Sequence, residues 1–70
     1  MNSNKLRAKI TERGMTVKSF CQEFGFVRST FDRKLKGDYE FTRDEIEKIW
    51  EALELTEEEV RDIFFENKVA

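Results

Sequence analysis

The sequence contains no histidine and no proline, a single cysteine, and three glycines in 70 residues. Without histidine, Cys21 cannot belong to a Cys/His zinc site, and it has no second cysteine for an internal disulfide. We therefore expect neither a metal nor a cofactor, and stabilisation by packing and helix capping. The lack of proline, the few glycines and a charged fraction of 40% favour helices joined by short turns.

Long apolar runs are missing as well. No stretch reaches the ~20 apolar residues of a membrane-spanning helix, and residues 1–9 lack the apolar core of a signal peptide. We expect a cytoplasmic protein that forms one domain over residues 1–70, near the lower size limit for a single hydrophobic core. We also expect that it is not an enzyme, because it has no histidine, no glycine-rich phosphate loop and no metal-ligand spacing.

The charges divide unequally between the two halves of the chain. The formal net charge is −2, but residues 1–37 carry nine basic and three acidic side chains, and residues 38–70 carry four basic and twelve acidic ones. The two halves therefore have formal charges of +6 and −8. Such asymmetry is typical of a protein whose basic half binds a polyanion. Charge alone also fits two ordinary solvated helix faces, and both interpretations stay open at this point.

Three threonines indicate where helices begin. Thr16, Thr42 and Thr56 each follow an apolar residue and precede another by four positions, which is the spacing of an N-cap with a hydrophobic staple. Glu45 and Glu59, three residues past the second and third of these threonines, complete two capping boxes. With glycines 14, 25 and 37 as helix ends, the pattern predicts five helices over about 4–13, 17–24, 28–36, 43–54 and 57–67.

Apolar residues recur on one face of each predicted helix and are expected to face the core. They are Leu6, Ile10, Phe20, Cys21, Phe24, Phe31, Leu35, Ile46, Ile49, Trp50, Leu53, Val60, Ile63 and Phe64. The adjacent pair Phe64-Phe65 cannot face one small core equally, because neighbouring residues on a helix point about 100° apart. We expect this pair to form a small homodimer contact. A tolerated exposed phenylalanine is the alternative.

The second and third predicted helices are separated by only three residues, which predicts a helix-turn-helix unit over about 16–36. Residues 28, 29, 32, 33 and 36 would point away from the core. A short helix that exposes arginine opposite a buried seam suits the DNA major groove, because arginine can bond guanine bidentately. The same pattern also fits an ordinary helical hairpin with a soluble face, since a fold does not fix a function.

The segment from Gly14 to Gly37 resembles the phage repressor/Cro class of helix-turn-helix domains, also called the XRE family, above all in Arg28-Ser29-Thr30-Phe31 closed by Gly37. The resemblance continues through the Phe41-Thr42 and Leu55-Thr56 helix starts and so covers nearly the whole chain. It implies an all-α, five-helix, lambda-repressor-like domain that binds double-stranded DNA, commonly as a dimer on a two-fold operator. Small members of this kind look like phage or integrated-element transcription regulators.

The resemblance also implies roles for individual residues. Those expected to read base edges are Arg28, Ser29 and Arg33. Those expected to hold the DNA backbone are Thr16, Lys18, Lys36, Tyr39 and Arg43. Charge asymmetry and the outward arginines favour a sequence-specific regulator. Two alternatives remain: an architectural or excisionase-like factor that bends DNA, and a protein-interaction module that uses the acidic fourth and fifth helices.

Three positions depart from the family pattern. Val17 stands where glutamine usually contacts phosphate, so that contact is not expected here. Val27 stands where serine or threonine usually caps the recognition helix and offers no such oxygen, so we expect either a looser helix start or one capped by Ser29 or a DNA phosphate. Cys21 stands where alanine is usual, and we expect it to be a buried small hydrophobe rather than a redox sensor.

Overall fold

The computed structural model describes residues 1–65, which form five α-helices and no strand. The helices are α1 (Ser3–Glu12), α2 (Val17–Phe24), α3 (Arg28–Lys36), α4 (Arg43–Leu53) and α5 (Glu57–Phe64). The predicted all-α class is confirmed, and the bounds of the first four helices agree with the prediction within one residue. The structure ends α5 at Phe64, and the predicted end near Asn67 lies outside the described residues.

The predicted threonine caps are present at α4 and α5. The hydroxyls of Thr42 and Thr56 accept from the N–H groups of Glu45 and Glu59 at 3.2 and 3.1 Å. The two carboxylates accept in return from the threonine N–H groups at 2.8 and 2.9 Å. Each box satisfies donors that the helix itself leaves unpaired, and a cap of this kind stabilises by about 1 kcal/mol.

Helix α2 carries a third capping box that the sequence pattern did not reveal. The Thr16 hydroxyl accepts from the Ser19 N–H at 3.0 Å, and the Ser19 hydroxyl accepts from the Thr16 N–H at 2.9 Å. A search for glutamate at the third position misses it because serine takes that place. Asn2 caps α1 by accepting from the Lys5 N–H at 3.1 Å. Helices α1, α2, α4 and α5 thus all begin at a side-chain cap.

A three-residue turn joins α2 to α3 and fixes their relative position. Gly25 ends α2 in the left-handed conformation, with φ of 78°, and its N–H donates to the Cys21 carbonyl. The N–H of Phe26 donates to the same carbonyl at 2.9 Å. A side chain at position 25 would be strained in this conformation. The glycine therefore allows the chain to turn at once into α3, which ends at Gly37 with φ of 93°.

Phe31 is the centre of an aromatic cluster that holds α3 in place. Its ring centroid lies 5.8, 5.2 and 5.3 Å from those of Phe20, Phe26 and Phe41, and its side chain is 1% exposed. Aromatic pairs at these separations add attraction beyond the area that they bury. The cluster joins α2, the turn, α3 and the segment before α4.

The rest of the core is formed by the predicted helix faces, with one difference: the apolar residues just before α4 and α5 are buried as well. The buried apolar residues are Leu6, Ile10, Phe20, Cys21, Phe31, Leu35, Phe41, Ile49, Leu53, Leu55, Val60 and Ile63. Phe41 and Leu55 also belong to this set, and each directly precedes a capping threonine, at the position from which a hydrophobic staple packs. Four predicted core residues pack against the cluster but stay partly exposed: Phe24, Ile46, Trp50 and Phe64.

Ion pairs connect the basic face of α1 to the acidic C-terminal part of the described chain. Lys5 Nζ lies 3.1 Å from a carboxylate oxygen of Asp62, and Lys9 pairs with Glu59. Arg13 donates to the carbonyl of Leu53 at 2.7 Å. Part of the charge asymmetry between the two halves is therefore neutralised inside the protein, which the sequence could not show.

A partly buried ion pair connects α3 to α4. Lys34 Nζ donates to Glu45 Oε1 at 2.5 Å, and the Lys34 side chain is 11% exposed. The same ammonium lies 5.7 Å from the centroid of the Phe41 ring. Burial opposes the ionised form of Glu45, but hydrogen bonds from Lys34 and Thr42 outweigh it and hold the pKa of Glu45 below its ordinary value of 4.5. The charge of Lys34 is therefore paired within the protein and stabilises the fold.

Because of this ion pair, the free energy of unfolding should depend on pH in the acidic range. A carboxyl whose pKa is lowered by folding stabilises above its unfolded pKa, and that stabilisation is lost as pH falls through the folded pKa. We expect Glu45→Gln, measured by urea unfolding, to lower the free energy of unfolding by roughly 1 kcal/mol at neutral pH. It should also flatten the loss of stability below about pH 4.5.

The matched control is Glu47→Gln. Glu47 lies on the same helix but is exposed, and its carboxylate is 3.7 Å from Arg43 Nε. This change should alter the free energy of unfolding by less than about 0.5 kcal/mol. If Glu45→Gln and the parent lose the same stability between neutral and acidic pH, the pair does not contribute as argued.

Candidate nucleic-acid interface

Helix α3 has two distinct faces. Phe31 and Leu35 are 1% and 3% exposed and hold the helix on the core. The outward face carries the predicted base-reading residues and one predicted backbone contact, all exposed: Arg28, Ser29, Arg33 and Lys36. Of these cations, Arg33 and Lys36 have no ion-pair partner within residues 1–65. The described structure therefore presents a helix surface with positive charge that the fold does not use.

Arg28 differs from the other cations of this face because it contacts Asp32, one helical turn on. The Nε atom of Arg28 donates to the two carboxylate oxygens of Asp32 at 3.3 and 3.2 Å. The two side chains are 49% and 38% exposed. The i,i+4 spacing of this pair is visible in the sequence, although the sequence prediction did not include the pair.

Two predicted backbone contacts, Thr16 and Lys18, lie at the start of α2. Lys18 is exposed and has no ion-pair partner within the described chain. Thr16 is exposed, but its hydroxyl already caps α2. Val17 between them is partly buried and packs against the core. Val17 thus has a packing role where a glutamine side chain would reach outward.

The start of α3 is the one described helix start without a side-chain cap. Val27 occupies the N-cap position with 66% of its surface exposed, and neither it nor Ser29 caps the first turn. The other four helices each begin at an asparagine or threonine that accepts a hydrogen bond. The prediction that Val27 leaves this helix start uncapped is confirmed, and of the two replacements considered for it the structure does not use Ser29.

A family model for the Cro/C1-type HTH DNA-binding domain matches residues 5–65. The chain belongs to this family. The match includes the whole helix-turn-helix and extends to the end of α5, so the resemblance seen in the sequence is confirmed. Membership implies that the chain binds DNA, and the family is one of non-enzymatic regulators. No match was found among the curated proteins or among the solved structures.

The remaining two predicted backbone contacts of this Cro/C1-type domain lie beyond α3. Tyr39, in the segment before α4, is 55% exposed. Arg43 opens α4, and its side chain is 91% exposed. Arg43 also lines a groove of about 520 Å³ together with Ile46, Trp50 and Phe65. Five of the eight predicted DNA contacts therefore lie on α2 and α3, and a sixth, Thr16, caps α2, whereas Tyr39 and Arg43 lie outside that helix pair.

The adjacent phenylalanines of α5 are used differently, as expected. Phe64 is partly buried, and its ring packs edge-on against Phe41 with centroids 5.7 Å apart. Phe65 follows the last helical residue and is 57% exposed. One of the pair belongs to the packed interior of the Cro/C1-type domain, and the other forms part of its surface.

Cys21 of the Cro/C1-type domain lies in the core behind the recognition helix. It is 2% exposed, as predicted, and burial raises the pKa of its thiol, an effect that Arg28 opposes and Asp32 reinforces. A buried thiol with a raised pKa is a packing group with little thiolate. Within residues 1–65, no helix is long and apolar enough to cross a membrane, and no cluster of three potential ligands is placed to bind a metal.

Proposed function

We propose that this domain binds duplex DNA sequence-specifically as a small phage or integrated-element transcription regulator of the Cro/repressor type. Helix α3 would enter the major groove. The observation that supports this most directly is the division of α3 into a buried apolar face and an exposed face on which Arg33 and Lys36 have no ion-pair partner within residues 1–65. An arginine on this face can bond guanine through its two major-groove acceptors.

In this proposal, the roles divide between base edges and the DNA backbone. Arg28, Ser29 and Arg33 read bases, because they lie on the outward face of α3 near its start and one turn on. The residues that hold phosphates are Thr16, Lys18, Lys36, Tyr39 and Arg43. Phosphate contacts fix the register of the protein on the duplex and supply the salt-dependent part of the affinity, whereas base contacts supply the specificity.

Substitutions at the two kinds of contact should affect DNA binding differently. We expect Arg28→Ala to weaken binding to the selected operator by on the order of 1–3 kcal/mol and to relax base preference at one position. Lys36→Ala should weaken operator and unrelated duplexes alike and lower the slope of log K against log salt by about 0.9. Both are measured by titrating duplexes, chosen by selection from random DNA, across a salt series.

The contrast between the two variants is its own control, since both remove one exposed cation from α3. Equal effects of both substitutions on every duplex would show that Arg28 binds phosphate. Tight binding without base preference, accompanied by DNA bending, would instead favour the architectural alternative. Binding that is weak and flat with salt would exclude the DNA function proposed for this surface.

The protein-interaction alternative loses support from the ion pairs. Several acids of the chain's second half already have partners on α1 or α3, among them Glu45, Glu59 and Asp62. A charged side chain that is paired within the fold offers less to a second protein.

We further propose that two copies pair on a two-fold site through the Phe64-Phe65 end of α5.

A further inference from the structure

Asp32 lies on the exposed face of α3, among the residues proposed to read bases. We propose that Asp32 is a positioning residue that sets the base preference of Arg28, by holding its guanidinium through Nε and leaving the two terminal amino groups to face guanine. The inference deepens the proposed function and rests on it. It is carried by the contact of Arg28 Nε with the two Asp32 oxygens at 3.3 and 3.2 Å.

Helix stability does not explain this ion pair. The two side chains are 49% and 38% exposed, and exposed pairs contribute little to folding. Arginine four residues before aspartate is also the less favourable order on a helix. Arg28 is the first residue of α3, where the helix dipole opposes a cation, and the first turn holds no acid to offset it. A local arrangement that weakens a helix start is expected where a function requires it.

The geometry leaves one edge of the guanidinium open. Arginine has five N–H groups in one plane, and Asp32 takes the Nε group. Within residues 1–65 the Arg28 side chain makes no other hydrogen bond. The terminal amino groups match the adjacent N7 and O6 acceptors of guanine. Holding a long side chain in this orientation before binding reduces the conformational entropy lost on contact.

The charge of Asp32 acts in the same direction as its geometry. A carboxylate beside Arg28 repels phosphate and lowers the contribution of this arginine to sequence-independent binding. Specificity is a difference between two affinities and often needs such a repulsive element. Removing Asp32 should therefore tighten binding to unrelated DNA while weakening discrimination. A residue needed only for the fold would weaken both.

The test compares Asp32→Ala with the parent full-length chain. Dissociation constants are measured for the selected site, for that site with the Arg28-dependent guanine replaced, and for a scrambled duplex. We expect discrimination at that guanine to fall on the order of tenfold, and binding to the scrambled duplex to strengthen. Asp38→Ala removes an exposed acid just beyond α3 and should strengthen scrambled binding without changing discrimination. Asp32→Glu can still pair with Arg28 and should retain most of the preference.

The double variant Arg28→Ala/Asp32→Ala isolates the coupling. If Asp32 acts through Arg28, removing Asp32 changes nothing further at that guanine once Arg28 is absent. An equal loss in both backgrounds, or unchanged discrimination in Asp32→Ala, overturns the inference while the proposed function stands. A parent protein that selects no sequence overturns both. Circular dichroism and a melting curve that match those of the parent show that a variant is folded, so that its changed dissociation constants reflect DNA recognition.

Discussion

We expect Phe31→Ala to cost about 3–5 kcal/mol of unfolding free energy, which is large for a single truncation in a domain of this size. Phe31 is 1% exposed and its ring contacts those of Phe20, Phe26 and Phe41. Removing it deletes buried area and leaves a cavity among rigid rings that cannot readily close. The contacts between α2, the turn, α3 and the segment before α4 weaken together.

That loss is a large part of the total unfolding free energy expected for so small a domain. Native proteins have roughly 0.05–0.15 kcal/mol of unfolding free energy per residue, which gives a chain of 70 residues roughly 3.5–10 kcal/mol. Phe31→Ala should therefore lose a large fraction of that stability and weaken DNA binding, because the recognition helix is held by the same ring. Urea unfolding followed by far-ultraviolet circular dichroism measures the effect.

Two controls separate the buried ring from aromatic content as such. Phe65→Ala removes the same atoms from a residue that is 57% exposed and should change stability by less than about 0.5 kcal/mol. Phe31→Leu retains much of the volume and should lose only part of the stability. If Phe31→Ala proves as stable as Phe65→Ala, the aromatic cluster does not hold α3 as described.

The helices could be predicted because the chemistry that starts and stops them is local. A threonine cap, its partner three residues on and a staple residue all lie within one short segment, so Thr42 and Thr56 were identified correctly. Gly25 and Gly37 were identified for the same reason, since a left-handed helix end favours glycine at that position. The same local patterns do not reveal how far a side chain will be buried. Trp50 shows this, because a large ring on a small domain packs against the core and stays partly exposed.

The electrostatic layout depended on contacts between distant residues and could not be predicted. Lys9 and Glu59 meet only once α1 and α5 pack together, and Lys34 reaches Glu45 only across the α3–α4 junction. The charge asymmetry therefore overstated the positive charge available to DNA. The contact of Arg28 with Asp32 is different, because its i,i+4 spacing is local and could have been found.

The strongest effect on assembly is expected from Phe65. We expect Phe65→Glu to remain folded and to lose the complex of two proteins on a palindromic site. A single domain covers one half-site, and helix-turn-helix units gain operator affinity by pairing about one helical turn apart. Phe64 already packs on Phe41 within the monomer. Phe65, 57% exposed, is therefore the aromatic ring of this pair that remains available to a second copy.

The surroundings of Phe65 support a small apolar contact. Its side chain lines a groove of about 520 Å³ with the apolar Phe41, Ile46 and Trp50 and with the charged Arg43 and Glu47, and the groove offers room for the same ring of a second copy. A contact limited to this groove and one ring would bury much less than the roughly 1,200–2,000 Å² of a stable complex, so pairing would depend on the DNA that holds both copies together. The occupied fraction of a palindromic site should then rise cooperatively with protein concentration, whereas the occupied fraction of a single half-site should rise without cooperativity.

Neutral variants separate the loss of the ring from the added charge. Phe65→Ser removes the apolar contact without introducing an acid near DNA and should abolish the two-to-one complex as Phe65→Glu does. Phe65→Leu keeps an apolar side chain there and should retain it. Analytical ultracentrifugation on palindromic and half-site duplexes counts the bound copies, and thermal unfolding checks that each variant folds. A two-to-one complex that persists in Phe65→Glu and Phe65→Ser would mean that pairing uses another surface of the domain.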